Sequence, residues 1–219
     1  MFAVIFEVTP KRSRWEDYLG YAKALKPELE KIEGFLDNER FESRSRKGRL
    51  LSLSLWRDEK AVIRWRTLEH HHKVQEKGRF EVFEDYHLRV GEITADSHVP
   101  PGQTLREQRL DETEVGAAKY VTVSELVAVG DKPATEDPVG ELGLPQTGAQ
   151  DLIDQEVYAS IYNTGKLLLL ASWHDANAAA AWTPRMPGQS GLRHRAVRIV
   201  RDYGMFDRRE APQYYPDVR

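Results

Sequence analysis

The sequence reads GRLLSLSLWRDEKAVIRW from Gly48 to Trp65 and GKLLLLASWHDANAAAAW from Gly165 to Trp182. Both tryptophans and the aspartate of each stretch stand in register at a spacing of 117 residues. A fixed internal period is typical of duplicated architecture, because each copy encodes the same structural unit. The sequence therefore predicts two related modules in one chain.

The same spacing relates other aromatic and acidic positions outside this stretch. It aligns Phe41 with Tyr158, and it aligns Asp85-Tyr86 with Asp202-Tyr203. We therefore expect the repeat to include the strands on either side of the stretch.

The first module has the pattern of a ferredoxin-like unit. Strands are predicted at 2–8, at 35–43 and 49–56 as a hairpin, and at 80–93, because apolar side chains alternate there. Helices are predicted at about 14–33 and from Asp58 through Trp65, where apolar residues recur every three or four positions. The order strand, helix, strand, strand, helix, strand defines the βαββαβ fold.

The second module keeps the strands and has weaker helix signals. Prolines and glycines crowd the segment 130–150, and they cannot sustain a helix as long as the first one. We divide the chain into a first module at 1–93, a linker at 94–117, a diverged repeat at 118–208 and a C-terminal tail at 209–219. The expected fold class is α+β, with reduced helices in the second module.

Composition excludes several classes of function. The 219 residues have a formal net charge of −3 and contain no cysteine, so neither thiolate chemistry nor general attraction to nucleic acid is expected. No apolar run approaches the roughly 20 residues of a membrane helix, and a cytoplasmic location is the expectation. Arginines at 193, 195, 198 and 201 alternate with apolar residues, which favours the solvated face of a strand.

The run from Gly48 to Arg79, followed by Asp85-Tyr86, resembles the antibiotic biosynthesis monooxygenase (ABM) family. The resemblance is clearest over 1–93, and it extends to 118–206 only through the internal repeat. It implies a dimeric α+β barrel, in which the two repeats could supply both halves within one chain. A homodimer of such chains is a further possibility.

The resemblance also implies a function, namely a cofactor-independent monooxygenase that oxidises a small aromatic or quinol-type substrate with O2. His71 would act as general base, Trp65 would stack on the substrate, and Arg66 or Arg79 would stabilise an oxyanion. Glu7 would serve as a second acid or base, and Phe83 as a further substrate contact.

Several alternatives stay open at this stage. On an unbroken helix His72, rather than His71, would lie near Trp65, since successive residues are 100° apart. Both Trp65 and its repeat partner could be packing anchors. Three adjacent histidines do not form a metal site on a helix, because neighbouring side chains diverge. Haem binding or degradation and a non-catalytic binding or structural barrel are the alternative functions.

Overall fold

The computed structural model describes residues 1–128, 137–145, 151–185 and 190–212. The strands are β1 (Phe2–Pro10), β2 (Phe35–Ser43), β3 (Leu50–Trp56), β4 (Phe83–Asp96), β5 (Tyr120–Ala128), β6 (Leu152–Ser160), β7 (Leu167–Trp173) and β8 (Ser190–Gly204). The helices are α1 (Trp15–Leu29), α2 (Glu59–Thr67), α3 (Glu69–Lys77), α4 (Pro138–Leu142) and α5 (Ala176–Ala181), with a 3₁₀ turn at Arg12–Arg14 and a π-helical turn at Gly78–Val82.

The eight described strands close into one antiparallel barrel in the order β1-β3-β2-β6-β7-β5-β8-β4. Each half has the predicted βαββαβ order, and the halves join where β2 pairs with β6 and β4 pairs with β8. Both halves of the barrel therefore come from a single chain. The α+β fold class is confirmed, whereas a homodimer stays a prediction.

The middle of the barrel interior is filled with apolar side chains. On β3, Leu51, Leu53 and Leu55 point into this core, while Ser52 and Ser54 point outward, as the alternation of strand side chains requires. The other half contributes in the same way, with Val121, Val123, Leu168, Leu170, Val197 and Ile199. This core closes the middle of the barrel, and the cavity described below lies outside the barrel wall, between strands and helices.

The helices of the first half depart from the prediction in two places. The helix that begins at the Asp58 cap ends at Thr67, Leu68 adopts an extended conformation, and α3 then begins at Glu69. Residues 80–82 belong to a π-helical turn rather than to the last strand, so the predicted strand at 80–93 begins too early. Both departures lie next to the cavity described below.

Strand pairing shows how the two copies correspond. The register is defined by two sets of paired residues: Phe2, Trp56 and Glu92 in the first half, and Tyr120, Trp173 and Arg198 in the second. Equivalent positions are thus 118 residues apart in β1 and β5, 117 apart in β3 and β7, but 106 apart in β4 and β8.

The predicted equivalence of Asp85-Tyr86 with Asp202-Tyr203 is therefore wrong. The connection from β7 to β8 is shorter than the connection from β3 to β4, because α3 and its π-helical turn have no counterpart among the described residues of the second half. Glu92 and Arg198 are equivalent instead, and they pair with each other across the strands, with Oε2 and Nη2 2.9 Å apart. Beyond this point β8 runs alongside the first half.

The arginines of β8 do not form a solvated face. Arg195 is only 1% exposed and forms an ion pair with Glu125, and Arg198 is bound by Glu92 and Glu107. The partners come from β4, from β5 and from the linker, and a pattern of alternation cannot reveal them. The prediction that these arginines lie on a solvated strand face is therefore wrong for Arg195 and Arg198.

The second half has less helical cover, as predicted, since α4 and α5 span five and six residues. Parts of the segment 130–150 and of the tail 209–219 lie outside the described residues, as do 186–189. Among the described helices, none combines the length and apolar character that crossing a bilayer requires.

Candidate functional site

A cavity of about 200 Å³ lies between the outer face of the first half of the barrel and the helices α1, α2 and α3. Its apolar wall includes Val4, Phe6, Leu25, Val62, Ile63, Phe83, Leu88 and Val90. Its polar lining includes Asn38, Arg40, Ser52, Arg66, His71, Gln75, Arg201 and Tyr203. The combination of an apolar wall with a few converging polar groups is typical of small-molecule sites.

His71 and Trp65 meet in this cavity as a stacked pair. Their ring centroids are 4.0 Å apart and the ring planes are inclined by 18°. This contact is possible because the helix breaks at Leu68, which turns α3 relative to α2. The break resolves the conflict that an unbroken helix would create between Trp65 and His71.

The environment of His71 fixes its protonation state. Burial lowers the pKa of its imidazole from 6.5 to about 4, although the hydrogen bond to the Trp65 carbonyl acts in the opposite direction. Nδ1 lies 2.9 Å from the backbone oxygen of Trp65, which can only accept, so Nδ1 carries the proton. At neutral pH the ring is uncharged and Nε2 holds a lone pair, which is the state that a general base requires.

The neighbouring histidines lie elsewhere. His72 is not part of the cavity lining, and its backbone nitrogen closes the first turn of α3 on Leu68. His70 points away to Glu28, with Nδ1 and Oε1 2.5 Å apart. Of the two histidines predicted as alternatives, His71 and His72, the structure brings His71 to Trp65.

The predicted substrate contacts divide into two groups. Arg66 and Phe83 line the cavity. Phe83 shares a face with Tyr86 because the pairing of β1 and β4 shifts register between Thr9 and Pro10. Arg79 is buried behind the lining, where it donates to the hydroxyl of Tyr86 and to the backbone oxygen of Met205.

Glu7 lies on the opposite face of β1 from the cavity. Its carboxylate points into the barrel, where Arg89 (2.6 Å), Arg49 (2.8 Å) and the hydroxyl of Tyr158 (2.6 Å) bind it. Burial alone would raise the pKa of this carboxyl, but the two arginines and the tyrosine lower it to about 2. The predicted acid or base on β1 is thus held ionised and out of reach of a ligand in the cavity.

Comparison with known proteins agrees with this architecture. The sequence profile of the family described as antibiotic biosynthesis monooxygenase matches residues 1–77. A curated relative from Pyricularia oryzae, named jasmonate monooxygenase ABM, is 44% identical over 221 residues, which is 99% of each chain. The chain belongs to the antibiotic biosynthesis monooxygenase family.

Solved structures related to this ABM chain include an anthrone oxidase-like protein. It is 12% identical, covers 97% of this chain and 96% of its own, and superimposes with a TM-score of 0.37. A Pseudomonas aeruginosa protein is 17% identical, covers 41% of this chain and 89% of its own, and has a TM-score of 0.37.

Among the described residues of the ABM chain, the second half has an apolar cluster at the position that corresponds to the cavity of the first. Trp173 and Trp182 stack on each other there, with ring centroids 5.8 Å apart, inside a cluster of leucines and alanines. Their equivalents in the first half are Trp56 and Trp65, and Trp65 stacks on His71 instead. The helix α3, which carries His71, is therefore the element that gives one half a candidate site.

Sequence reasoning did not single out several residues of the site. Asn38 donates to Ser52 and accepts from Arg40, each at 3.0 Å, which makes a hydrogen-bonded floor on β2 and β3. Arg201 and Tyr203 come from β8 of the other half. Alternation along β2 could have identified Asn38 and Arg40. The positions of Arg201 and Tyr203, in contrast, depend on how the two halves of the barrel pair. Within the described residues of the ABM chain, no group of His, Cys, Asp and Glu is arranged to hold a metal ion.

Proposed function

We propose that this protein is a monooxygenase that uses O2 to oxidise a small, lipid-derived keto acid of the jasmonate class in the cavity of its first half. The observation that carries the proposal is the neutral His71, stacked on Trp65 beside a mostly apolar cavity. The full-length similarity to a jasmonate monooxygenase supports the substrate class. A lipid-derived substrate replaces the aromatic or quinol-type one that the sequence alone suggests.

The chemistry follows from the position of the base. Nε2 of His71 would remove a proton next to a carbonyl group, which gives an enolate that is electron-rich enough to reduce O2 directly. The imidazolium and the enolate form an ion pair, and Arg66 in the same lining adds a second positive charge. These interactions offset the cost that keeps the pKa of the unliganded histidine near 4.

Electron balance limits the product. If the substrate alone supplies the electrons, one CH2 group becomes C=O while O2 provides the carbonyl oxygen and one molecule of water. Insertion of a hydroxyl group into a C–H bond would need two further electrons from an external reductant. The proposal without a reductant therefore predicts a new carbonyl group in the product.

The cavity does not favour the haem alternative. A volume of about 200 Å³ is below the usual range of about 300–1,000 Å³ for small-molecule sites, and a porphyrin is a large ligand. A compact substrate of one ring with a short chain fits this space better. Haem addition followed by a search for a Soret shift that disappears in His71→Ala is the direct test.

Oxygen consumption with purified protein tests the proposed reaction. Jasmonate, a hydroquinone and an anthrone would be compared without added cofactor, and mass spectrometry would identify the product. Uptake with jasmonate alone, and a product with a new carbonyl group, is expected. Oxygen consumption only with the hydroquinone or anthrone would favour an aromatic substrate class over the jasmonate class. Binding of jasmonate without oxygen consumption would favour the non-catalytic alternative.

A further inference from the structure

We propose that Arg201 and Tyr203, two residues of β8, bind the carboxylate of the substrate and so determine specificity for an acid. This inference rests on the proposed function. It makes the second half of the chain a required part of the site in the first half.

The path of β8 brings both residues to the cavity. Past the Glu92–Arg198 pair the strand continues along β4, where Arg201 is opposite Val90 and Tyr203 is opposite Leu88. All four side chains line the cavity, because the two strands present the same outer face there. The apolar pair on β4 lies beside the polar pair on β8, which suits a ligand with one charged end.

The hydroxyl of Tyr203 has no protein partner among the described residues, although the residue is only 7% exposed. Because this residue lines the cavity, its hydroxyl is available to donate a hydrogen bond to a ligand oxygen there. Burial and the nearby Tyr86 hydroxyl raise the pKa of Tyr203 to about 12, while neighbouring arginines act in the opposite direction. The hydroxyl is therefore a hydrogen-bond donor at neutral pH.

Arg201 differs from the other arginines of its strand. Arg193, Arg195 and Arg198 each form ion pairs with carboxylates, but within the described part of the chain no hydrogen bond or ion pair to Arg201 is present. Its side chain is half-buried in the cavity wall. A guanidinium in this position can bind a carboxylate with two parallel hydrogen bonds.

The surrounding charges favour an anion. Arg66 and Arg201 are close enough for Arg201 to help lower the pKa of Arg66, although burial is the larger cause. The carboxylate of Glu59 also lines the cavity, but both of its oxygens are bound by Arg109, at 2.8 and 2.9 Å. A substrate carboxylate would therefore enter a region with excess positive charge.

Calorimetric binding of jasmonate and of its methyl ester tests this assignment. The ester keeps the apolar body and removes the negative charge. The variants are Arg201→Gln and Tyr203→Phe, with Arg106→Gln as the control, since Arg106 is an exposed arginine outside the cavity. Wild-type protein and the control should bind the acid about tenfold or more tightly than the ester, which corresponds to about 1.4 kcal/mol.

Arg201→Gln should abolish the preference for the acid and leave the affinity for the ester within about twofold of wild type. Tyr203→Phe should reduce the preference for the acid by several fold. A preference that persists in both variants would overturn the assignment, because another group would then bind the carboxylate. Equal affinity of the wild type for acid and ester would also overturn it, yet leave the proposed reaction intact. Failure of both ligands to bind would instead overturn the proposed substrate class, and the assignment with it.

Discussion

Trp65 contacts His71 twice, once through its backbone oxygen, which accepts from Nδ1, and once through its indole ring, which stacks on the imidazole. The hydrogen bond selects the tautomer with a lone pair on Nε2, and the stacking holds the plane of the ring. A residue that merely packed would need neither constraint. The double contact is the strongest structural reason to treat His71 as the base.

Replacing His71 by phenylalanine should separate chemistry from packing. The phenyl ring can still stack on Trp65 but has no nitrogen to accept a proton, so turnover should fall by about 10²–10⁴. Steady-state oxygen uptake with jasmonate measures this loss, and thermal unfolding checks that the variant is folded. His72→Phe, outside the cavity lining, should keep turnover within about threefold. Loss of turnover in the His72 variant alone would transfer the role of base to that residue.

The lowered pKa of His71 predicts a pH dependence of stability. Between pH 6.5 and about 4 the unfolded chain binds a proton at this histidine that the folded chain does not bind, so acidification favours unfolding. This histidine therefore does not lower the free energy of unfolding above pH 6.5, and it lowers that free energy progressively as the pH falls toward 4. Relative to His71→Phe, the wild type should lose about 1–2 kcal/mol of unfolding free energy between pH 7.5 and 5.

Urea titrations of both proteins at the two pH values measure this difference. Other titrating groups cancel in the comparison, including His194, whose pKa is also lowered to about 4, mainly by burial. Equal losses in wild type and variant would mean that His71 is protonated in the folded state, contrary to its buried environment.

Strand alternation and helix periodicity were sufficient to predict the βαββαβ modules, because both depend on local pattern, whereas the barrel was implied only by the resemblance to the ABM family. The outward direction of Ser52 and Ser54, for example, follows from the apolar alternation of β3 alone. The break at Leu68 was harder, since no glycine or proline marks it. The only sequence signal was the conflict between the positions of Trp65 and His71 on an unbroken helix.

The contribution of β8 to the cavity could not be predicted in the same way. Tyr203 matched Tyr86 at the dominant repeat spacing, and that match concealed the true equivalence of Glu92 with Arg198. The pairing of β4 with β8 depends on contacts between residues about 100 positions apart in the chain. Partners at such distances leave no trace in local periodicity.

Gly78 should control the volume of the cavity through Phe83. A Cβ atom at Gly78 would lie 2.6 and 2.8 Å from two atoms of the Phe83 ring, so an alanine must displace that ring, and we expect it to move into the ligand space. We expect Gly78→Ala to weaken substrate binding by about tenfold and to destabilise the fold by about 1–3 kcal/mol. Binding titration and chemical unfolding measure the two effects.

Gly20→Ala is the matched control for this change. Apart from its chain neighbours and the backbone of its own helix, no atom of the described residues lies within 4 Å of a Cβ built at this exposed helical position. Alanine there should stabilise the protein by about 0.5–1 kcal/mol, because glycine is a poor helix former, and it should not alter binding. Unchanged ligand affinity in Gly78→Ala would mean that Phe83 moves away from the cavity rather than into it.

Glu7→Gln should affect stability and not catalysis. Glutamine keeps the shape of the side chain but removes the charge that Arg49 and Arg89 require, and a buried cation without its partner costs about 3–5 kcal/mol. Because the folded-state pKa of Glu7 is about 2, its stabilising contribution is present above pH 4.5 and is lost as the pH falls toward 2. The variant should lack this part of the acid dependence.

The position of Glu7 inside the barrel also predicts that turnover of folded Glu7→Gln stays within about threefold of wild type. Urea unfolding gives the stability, and oxygen uptake at a temperature where the variant is fully folded gives the activity. Equal stability combined with a large loss of turnover would show that this carboxylate takes part in the reaction. The separation of the two effects depends on β1 presenting Glu7 to one side of the barrel wall and Phe6 to the cavity on the other.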